Sequence, residues 1–156
     1  MKFSEDVLQV AAARFLAGVE RNLGGMSFAG DQNTAKRGMT AAPLAKLMGL
    51  RPGEADLRIY LAGGKLVSVE LKTDTGRKSP KQVERHALLG ELGFIIYTIF
   101  ADSPHDVCSQ LASILEVELG CGPNCAMRSY AKVAADDVMN VLGQKNDMRG
   151  LAELAS

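Results

Sequence analysis

Two alternating segments joined by paired glycines constrain the fold of this chain more than any other feature of the sequence. Between residues 57 and 61 every second side chain is apolar, which is the period of a β-strand. Gly63 and Gly64 follow and supply the two-residue turn of a hairpin. Between residues 65 and 72 the alternation resumes, and its polar face ends in Glu70 and Lys72. The sequence therefore predicts a hairpin whose second strand carries a carboxylate and an ammonium group on one face.

The polar groups of this hairpin predict a divalent-cation site. Asp56 opens the first strand, so a short hairpin brings it close to Glu70 and Lys72. Two carboxylates at short distance repel each other unless a cation lies between them, and hard oxygen ligands suit Mg²⁺. A lysine beside that cation can orient a water molecule or stabilise a phosphate oxygen.

The same residues resemble a known nuclease signature. Asp56 and the later Glu70-Leu71-Lys72 are similar to the motif of the PD-(D/E)xK nuclease superfamily. The surrounding sequences, GEADL and ELKTDTGRKSPKQ, resemble its VRR-NUC branch, which is common in phage nucleases and related to Holliday-junction resolvases. Residues 53 to 56 read GEAD where the family usually has Gly-x-Pro-Asp, so an alanine replaces the proline while the carboxylate is kept. The resemblance covers about residues 4 to 116.

This resemblance implies a fold, an activity and a cofactor. The implied fold class is α/β (α+β): a restriction-endonuclease-like core with a small mixed sheet, formed by the hairpin and a parallel crossover strand, flanked by helices. The implied activity is metal-dependent endonuclease cleavage of DNA; relatives of this fold cut branched, flapped or plain duplex DNA, so the resemblance leaves open whether cleavage is selective for branched, flapped or junction DNA. Asp56, Glu70 and the backbone carbonyl of Leu71 would hold Mg²⁺ or Mn²⁺, and Lys72 would position the attacking water. The resemblance also implies a homodimer.

Two further residues each have two readings. Glu5 follows Ser4 at a predicted helix start, where an acidic side chain complements the helix dipole. Gln82 stands three residues after Ser79, where it completes a capping box. The resemblance instead assigns both Glu5 and Gln82 to the active site. The sequence leaves both alternatives open. A neighbour, His86, is expected on the helix surface rather than as a general base.

The charge distribution favours an anionic partner, although the net charge does not. The chain carries 18 basic and 18 acidic residues, and a zero net charge alone argues against a nucleic-acid-binding protein. Between residues 36 and 85, however, eleven Lys and Arg residues accompany only five Asp and Glu residues. A basic region around an acidic pocket is what a phosphodiester substrate and a metal together require. The predicted DNA-contacting residues are Lys36, Arg37, Arg77, Lys78, Lys81 and Arg85. Chance clustering on a solvated surface is the alternative.

The remaining segments complete a predicted order of elements. The run FIIYTIF at residues 94 to 100 predicts a buried central strand, parallel to one hairpin strand through a right-handed crossover. Residues 24 to 42 are rich in glycine and polar residues and predict a loop facing the substrate. Residues 1 to 120 are predicted to form the nuclease-like core. Residues 121 to 156 are predicted to form a helical extension, packed on the core or at an oligomer interface.

Two further patterns bear on metal binding and location. The three cysteines, Cys108, Cys121 and Cys125, could form a zinc site with His105, but a turn with ordinary thiols is favoured because no second ligand pair completes the motif. No apolar run reaches the ~18 residues of a membrane span. Glu5 and Asp6 lie where a signal peptide carries basic residues. The expectation is a cytoplasmic protein with no membrane partner, in the host cell if the chain is phage-encoded.

Two other interpretations compete with a nuclease. One is a nucleic-acid-binding module of a phage or replication and repair assembly that keeps this fold without catalysis. The other is an unrelated α+β protein in which Glu70 and Lys72 form a structural ion pair. A partly buried ion pair is no obvious aid to stability, and it leaves Asp56 and the basic region unexplained. DNA binding that needs no divalent metal would distinguish the binding module from the enzyme.

Overall fold

The predicted hairpin forms the centre of a four-stranded mixed sheet. The computed structural model describes residues 2–31, 47–49, 51–122 and 125–145. Along the chain the main elements are α1 (Glu5–Asn22), β1 (Met26–Gly30), β2 (Leu57–Leu61), β3 (Lys65–Thr73), α2 (Pro80–Glu91), β4 (Ile95–Ala101), α3 (Pro104–Leu119) and α4 (Met127–Lys145). The strands lie side by side in the order β1-β2-β3-β4. A mixed sheet flanked by helices confirms the predicted α/β (α+β) class and is consistent with a restriction-endonuclease-like core.

The hairpin turn confirms the role of the paired glycines. β2 and β3 pair antiparallel, with Ile59 opposite Val67. A short 3₁₀ turn at Ala62–Gly64 connects them, so the loop has three residues rather than two. Gly63 and Gly64 have φ values of 79° and 78°, in the left-handed region that residues with a Cβ atom adopt at a cost.

The first strand was not expected from the sequence. β1 lies within residues 24 to 42, which were predicted to form a loop, and it pairs antiparallel with β2 from Met26 opposite Leu61 to Gly30 opposite Leu57. Its five residues, MSFAG, show no clear alternation, so its strand conformation depends on the partner strand rather than on local pattern. Residues 32–46 lie outside the described residues, and with them the predicted DNA contacts Lys36 and Arg37.

The last strand confirms the crossover but corrects its position. β4 pairs parallel with β3, with Thr98 opposite Glu70 and Phe100 opposite Lys72, and α2 connects the two strands. The prediction of a buried central strand was wrong, because β4 is an edge strand in the described sheet. Its middle residues are half-buried, and the side chain of Phe100 is 45% exposed. A continuous apolar run does not by itself distinguish a central strand from an edge strand that a helix partly covers.

The two faces of the sheet differ in what covers them. Val67, Val69 and Leu71 of β3 belong to a hydrophobic core shared with α1, α3 and α4. The intervening residues point to the opposite face, where Glu70 meets the first turn of α2. Buried residues of α4, including Met127 and Val138, are part of the same core, while the division at residue 120 stays a prediction. No helix among the described residues is long and apolar enough to span a membrane.

Candidate active site

Asp56 is held at the start of β2 by contacts from three parts of the chain. Its side-chain Oδ2 accepts a hydrogen bond of 2.7 Å from the backbone N–H of Leu71 on β3. Its backbone carbonyl accepts from the N–H of Asp31 at 2.7 Å and from Nε2 of Gln9 at 3.5 Å. The Asp56 carboxylate therefore lies directly beside the Glu70-Leu71-Lys72 segment.

Glu70 and Lys72 form a buried pair on the α2 side of the sheet. The Glu70 side chain is fully buried and that of Lys72 is 6% exposed, and Nζ of Lys72 lies 2.6 Å from Oε1 of Glu70. The same ammonium lies 3.3 Å from Oε2 of Glu5, whose side chain is 48% exposed at the beginning of α1. The structure thus brings Glu5, Asp56, Glu70 and Lys72 together.

Gln82 makes contacts that are compatible with both of its predicted roles, the helix cap and the candidate site. Its backbone N–H donates to Oγ of Ser79 at 3.2 Å, and its Oε1 accepts from the backbone N–H of Ser79 at 2.8 Å, which completes the capping box. Its remaining amide group, Nε2, donates a hydrogen bond to Oε1 of Glu70. Because the capping box uses Oε1 and the contact with Glu70 uses Nε2, one side chain can make both interactions at once.

A close backbone approach at Gly53 places the first turn of α2 beside the loop that carries Asp56. Gly53 has a φ of 87°, and a Cβ atom there would lie 2.5 Å from the carbonyl oxygen of Lys81. Only glycine combines this conformation with this approach. Ala55, at the position where the resembled motif has proline, is 3% exposed.

Burial and mutual repulsion shift the pKa values of the clustered groups. Burial raises the pKa of Asp56 to about 6 from an ordinary 3.8, with the charge of Glu70 adding to the effect and the Leu71 hydrogen bond opposing it. Burial also raises the pKa of Glu70, against the lowering effect of Lys72. Burial alone would lower the pKa of Lys72, but its hydrogen bond and charge interaction with Glu70 prevail and raise it. Three carboxylates around one ammonium group therefore favour an added positive charge.

The donor set fits a hard divalent cation that keeps much of its hydration. Oε2 of Glu70 is buried and has no hydrogen-bond partner in the part of the chain that the structure describes, which leaves it available as a ligand. Within the described ranges, no group of three or more His, Cys, Asp or Glu side chains is arranged to hold a metal, and all three cysteines are free thiols. Mg²⁺ commonly binds through one or two carboxylates, with water and substrate phosphates as the other ligands. Asp56 and Glu70 match that pattern.

His86 contradicts its predicted surface position. It is 9% exposed, and its Nε2 lies 3.8 Å from Oε2 of Glu70. The signal was present in the sequence, because His86 follows Gln82 by four residues and residues at this spacing share one face of a helix. Which face turns towards the sheet depends on how the helix packs.

The predicted DNA-contacting residues differ in their surroundings. Arg77 and Lys81 are exposed, while Lys78 donates from Nζ to Oγ1 of Thr98 at 3.2 Å. Arg85 donates from Nε to Oε1 of Glu54 at 2.6 Å, which ties α2 to the loop before β2. No local sequence pattern indicates this ion pair, because its two residues are 31 positions apart and meet only in the fold.

Comparison with known proteins adds one structural similarity. The sequence matches no protein-family model and no curated protein. The chain is similar to a solved structure described as a VRR_NUC domain protein, with 19% sequence identity and a TM-score of 0.49. The similar region covers 75% of this chain and 92% of that chain.

Proposed function

We propose that this chain is a nuclease that hydrolyses DNA phosphodiester bonds with Mg²⁺ or Mn²⁺ as cofactor. The observation that carries the proposal is the convergence of a half-buried Asp56 with the buried Glu70 and Lys72, where one Glu70 oxygen has no hydrogen-bond partner among the described residues. Desolvated carboxylates close together favour a bound cation, and the nearby ammonium group complements a phosphate. The sequence resemblance to VRR-NUC nucleases gives the same reading.

The carboxylates bind the metal in this proposal. Asp56 and Glu70 supply oxygen ligands, and the backbone carbonyl of Leu71 is a further candidate. A divalent cation held by these ligands would supply Lewis-acid chemistry, offsetting phosphate charge and lowering the pKa of the attacking water. The Leu71 N–H fixes the Asp56 carboxylate, and Gln82 fixes that of Glu70, so both ligands are held before the metal arrives.

Lys72 acts as a cation rather than as a base. Its raised pKa keeps the ammonium group protonated at neutral pH, so it has protons to donate and no lone pair to accept one. Its Nζ lies 2.6 Å from Oε1 of Glu70, a proposed metal ligand, and 3.3 Å from Oε2 of Glu5. From there it can orient the attacking water and stabilise charge that develops on the scissile phosphate. Glu5 is half-exposed and positions Lys72 from the solvent side.

The finer features of the proposal concern the substrate and the assembly. We extend it to branched, flapped or junction DNA, a selectivity that the resemblance leaves open, with Arg77, Lys78, Lys81 and Arg85 contributing positive charge around the site. Symmetric cutting of a junction requires two sites, so the proposal includes a homodimer. Both features rest on the resemblance.

The test is cleavage of supercoiled plasmid and branched oligonucleotides in Mg²⁺, in Mn²⁺ and in EDTA. Wild type is expected to cleave only with metal, and Lys72→Ala to lose about 10²–10³-fold in rate, as when a charge-stabilising donor is removed. Lys65→Ala is the matched control, because Lys65 lies on the same strand but pairs with Glu118. If wild type binds DNA equally with and without metal and never cuts, the binding module replaces the nuclease. If it does not bind DNA, the resemblance is misleading.

A further inference from the structure

Two buried polar side chains, His86 and Glu70, face each other at the candidate site. Within the described ranges, neither ring nitrogen of His86 nor Oε2 of Glu70 makes a hydrogen bond of ordinary geometry, although the backbone of Gly53 also lies beside the ring. The side chains are 8% and 0% exposed, and Nε2 of His86 lies 3.8 Å from Oε2 of Glu70. A buried polar group left unsatisfied destabilises the folded state, and such groups are rare in folded proteins. Their position opposite each other therefore calls for a common explanation.

The placement of His86 follows from the way α2 is anchored. The capping box fixes the first turn of the helix, and Gln82 within it binds Oε1 of Glu70. His86 lies one turn further along the same face, opposite Oε2. A single helix face thus presents one polar group to each oxygen of the same carboxylate.

The His86 ring can donate a hydrogen bond to a carboxylate without carrying a charge. A neutral imidazole has one N–H donor and one acceptor nitrogen.

We infer that His86 is a positioning residue for Glu70: its Nε2–H donates to Oε2 of the carboxylate and fixes its orientation towards a bound divalent cation. The inference rests on the proposed function, because the cation is the one proposed there. A shift of about 1 Å converts the 3.8 Å separation into a hydrogen bond. A carboxylate oxygen has two lone pairs, so Oε2 can accept this bond and still face a metal. Loss of such a partner typically costs about 10–100-fold in metal affinity.

The experiment measures Mn²⁺ binding by calorimetry in wild type, His86→Leu and His86→Gln. Leucine fills the space without a donor, and the Gln amide restores an N–H near the position of Nε2. We expect His86→Leu to weaken Mn²⁺ binding by about 10–100-fold and His86→Gln to recover most of the loss. Val83→Ala, on an exposed part of the same helix, is expected to bind as wild type does.

Stability in EDTA separates positioning from packing. A positioning role predicts that His86→Leu is at least as stable as wild type without metal, since an unpaired buried polar group has been removed. Wild-type Mn²⁺ affinity in His86→Leu, equal losses in the Leu and Gln variants, or strong destabilisation of both in EDTA would each overturn the inference. Glu70→Gln is the reference for the site: if wild type binds Mn²⁺ no better than Glu70→Gln, the proposed function fails and the inference with it. If wild type binds through Glu70 and His86→Leu binds equally well, only the inference fails.

Discussion

The two faces of the central sheet both contain buried side chains, but those side chains are chemically opposite. On one face Ile59, Val67 and Val69 are completely buried among α1, α3 and α4. On the other face Glu70 is 0% and Lys72 is 5% exposed, although both carry ionisable groups. Apolar burial stabilises a fold by about 25 cal/mol per Å², whereas a buried ion pair often contributes nothing net. Stability therefore explains the first face and does not explain the second.

The polar face of the sheet is the region where buried side chains reduce the stability of the fold. The raised pKa values of Asp56 and Glu70 mean that the fold disfavours their charged forms at neutral pH. Neighbouring groups such as the Leu71 N–H and Gln82 nonetheless hold these carboxylates in place. Carboxylates that repel each other but are held in fixed positions are expected of a preorganised cation-binding site, as proposed for this chain.

The largest stability effect is expected from breaking the apolar face. Ile59→Ala should lower the free energy of unfolding by about 2–5 kcal/mol, because it leaves a cavity in the core. Tyr60→Ala, at the adjacent position on the opposite face, removes a side chain that is 47% exposed and should cost less than about 1 kcal/mol. Urea denaturation of both variants makes the comparison. Equal losses would contradict the assignment of the two faces.

A smaller effect should separate the two roles of Gln82. Ser79→Ala and Gln82→Ala each remove half of the capping box, and each should cost about 1 kcal/mol of stability. Of these two residues, only Gln82 also donates a hydrogen bond to Glu70. At a temperature where both variants are fully folded, only Gln82→Ala should therefore slow metal-dependent DNA cleavage. The measurement is the cleavage rate of each variant well below its melting temperature. Equal slowing in both variants would assign Gln82 to the cap alone.

Local sequence signals predicted most of the elements around the site. The hairpin, the shared face of Glu70 and Lys72, and the helix beginning after Ser79 each depend on residues within one or two turns or one strand pair. The sequence also placed Asp56 beside β3, because a short hairpin leaves few other arrangements. These features follow from hydrophobic periodicity and helix-capping residues, both of which can be recognised in the sequence.

The missed features all depend on contacts between distant parts of the chain. β1 is a strand because β2 pairs with it, the edge position of β4 depends on what else joins the sheet, and His86 is buried because of the way α2 crosses the sheet. The pairing of Arg85 with Glu54 is likewise long-range. No local pattern contains this information.

The most direct test of a polar face built for a cation is the stability of Asp56→Asn with and without Mn²⁺. The folded-state pKa of Asp56 is raised from 3.8 to about 6, so its protonated form stabilises the fold below about pH 4 and that contribution is lost as the pH rises through 6. In EDTA at pH 7.5, Asp56→Asn should therefore be more stable than wild type by about 1–2 kcal/mol, allowing for partial exposure, and the difference should vanish towards pH 4. In Mn²⁺ at about 100 times its Kd, wild type should gain about 2.7 kcal/mol while the variant gains little, which reverses the order. A wild type that is the more stable protein in EDTA, with no selective gain from Mn²⁺, would contradict the account.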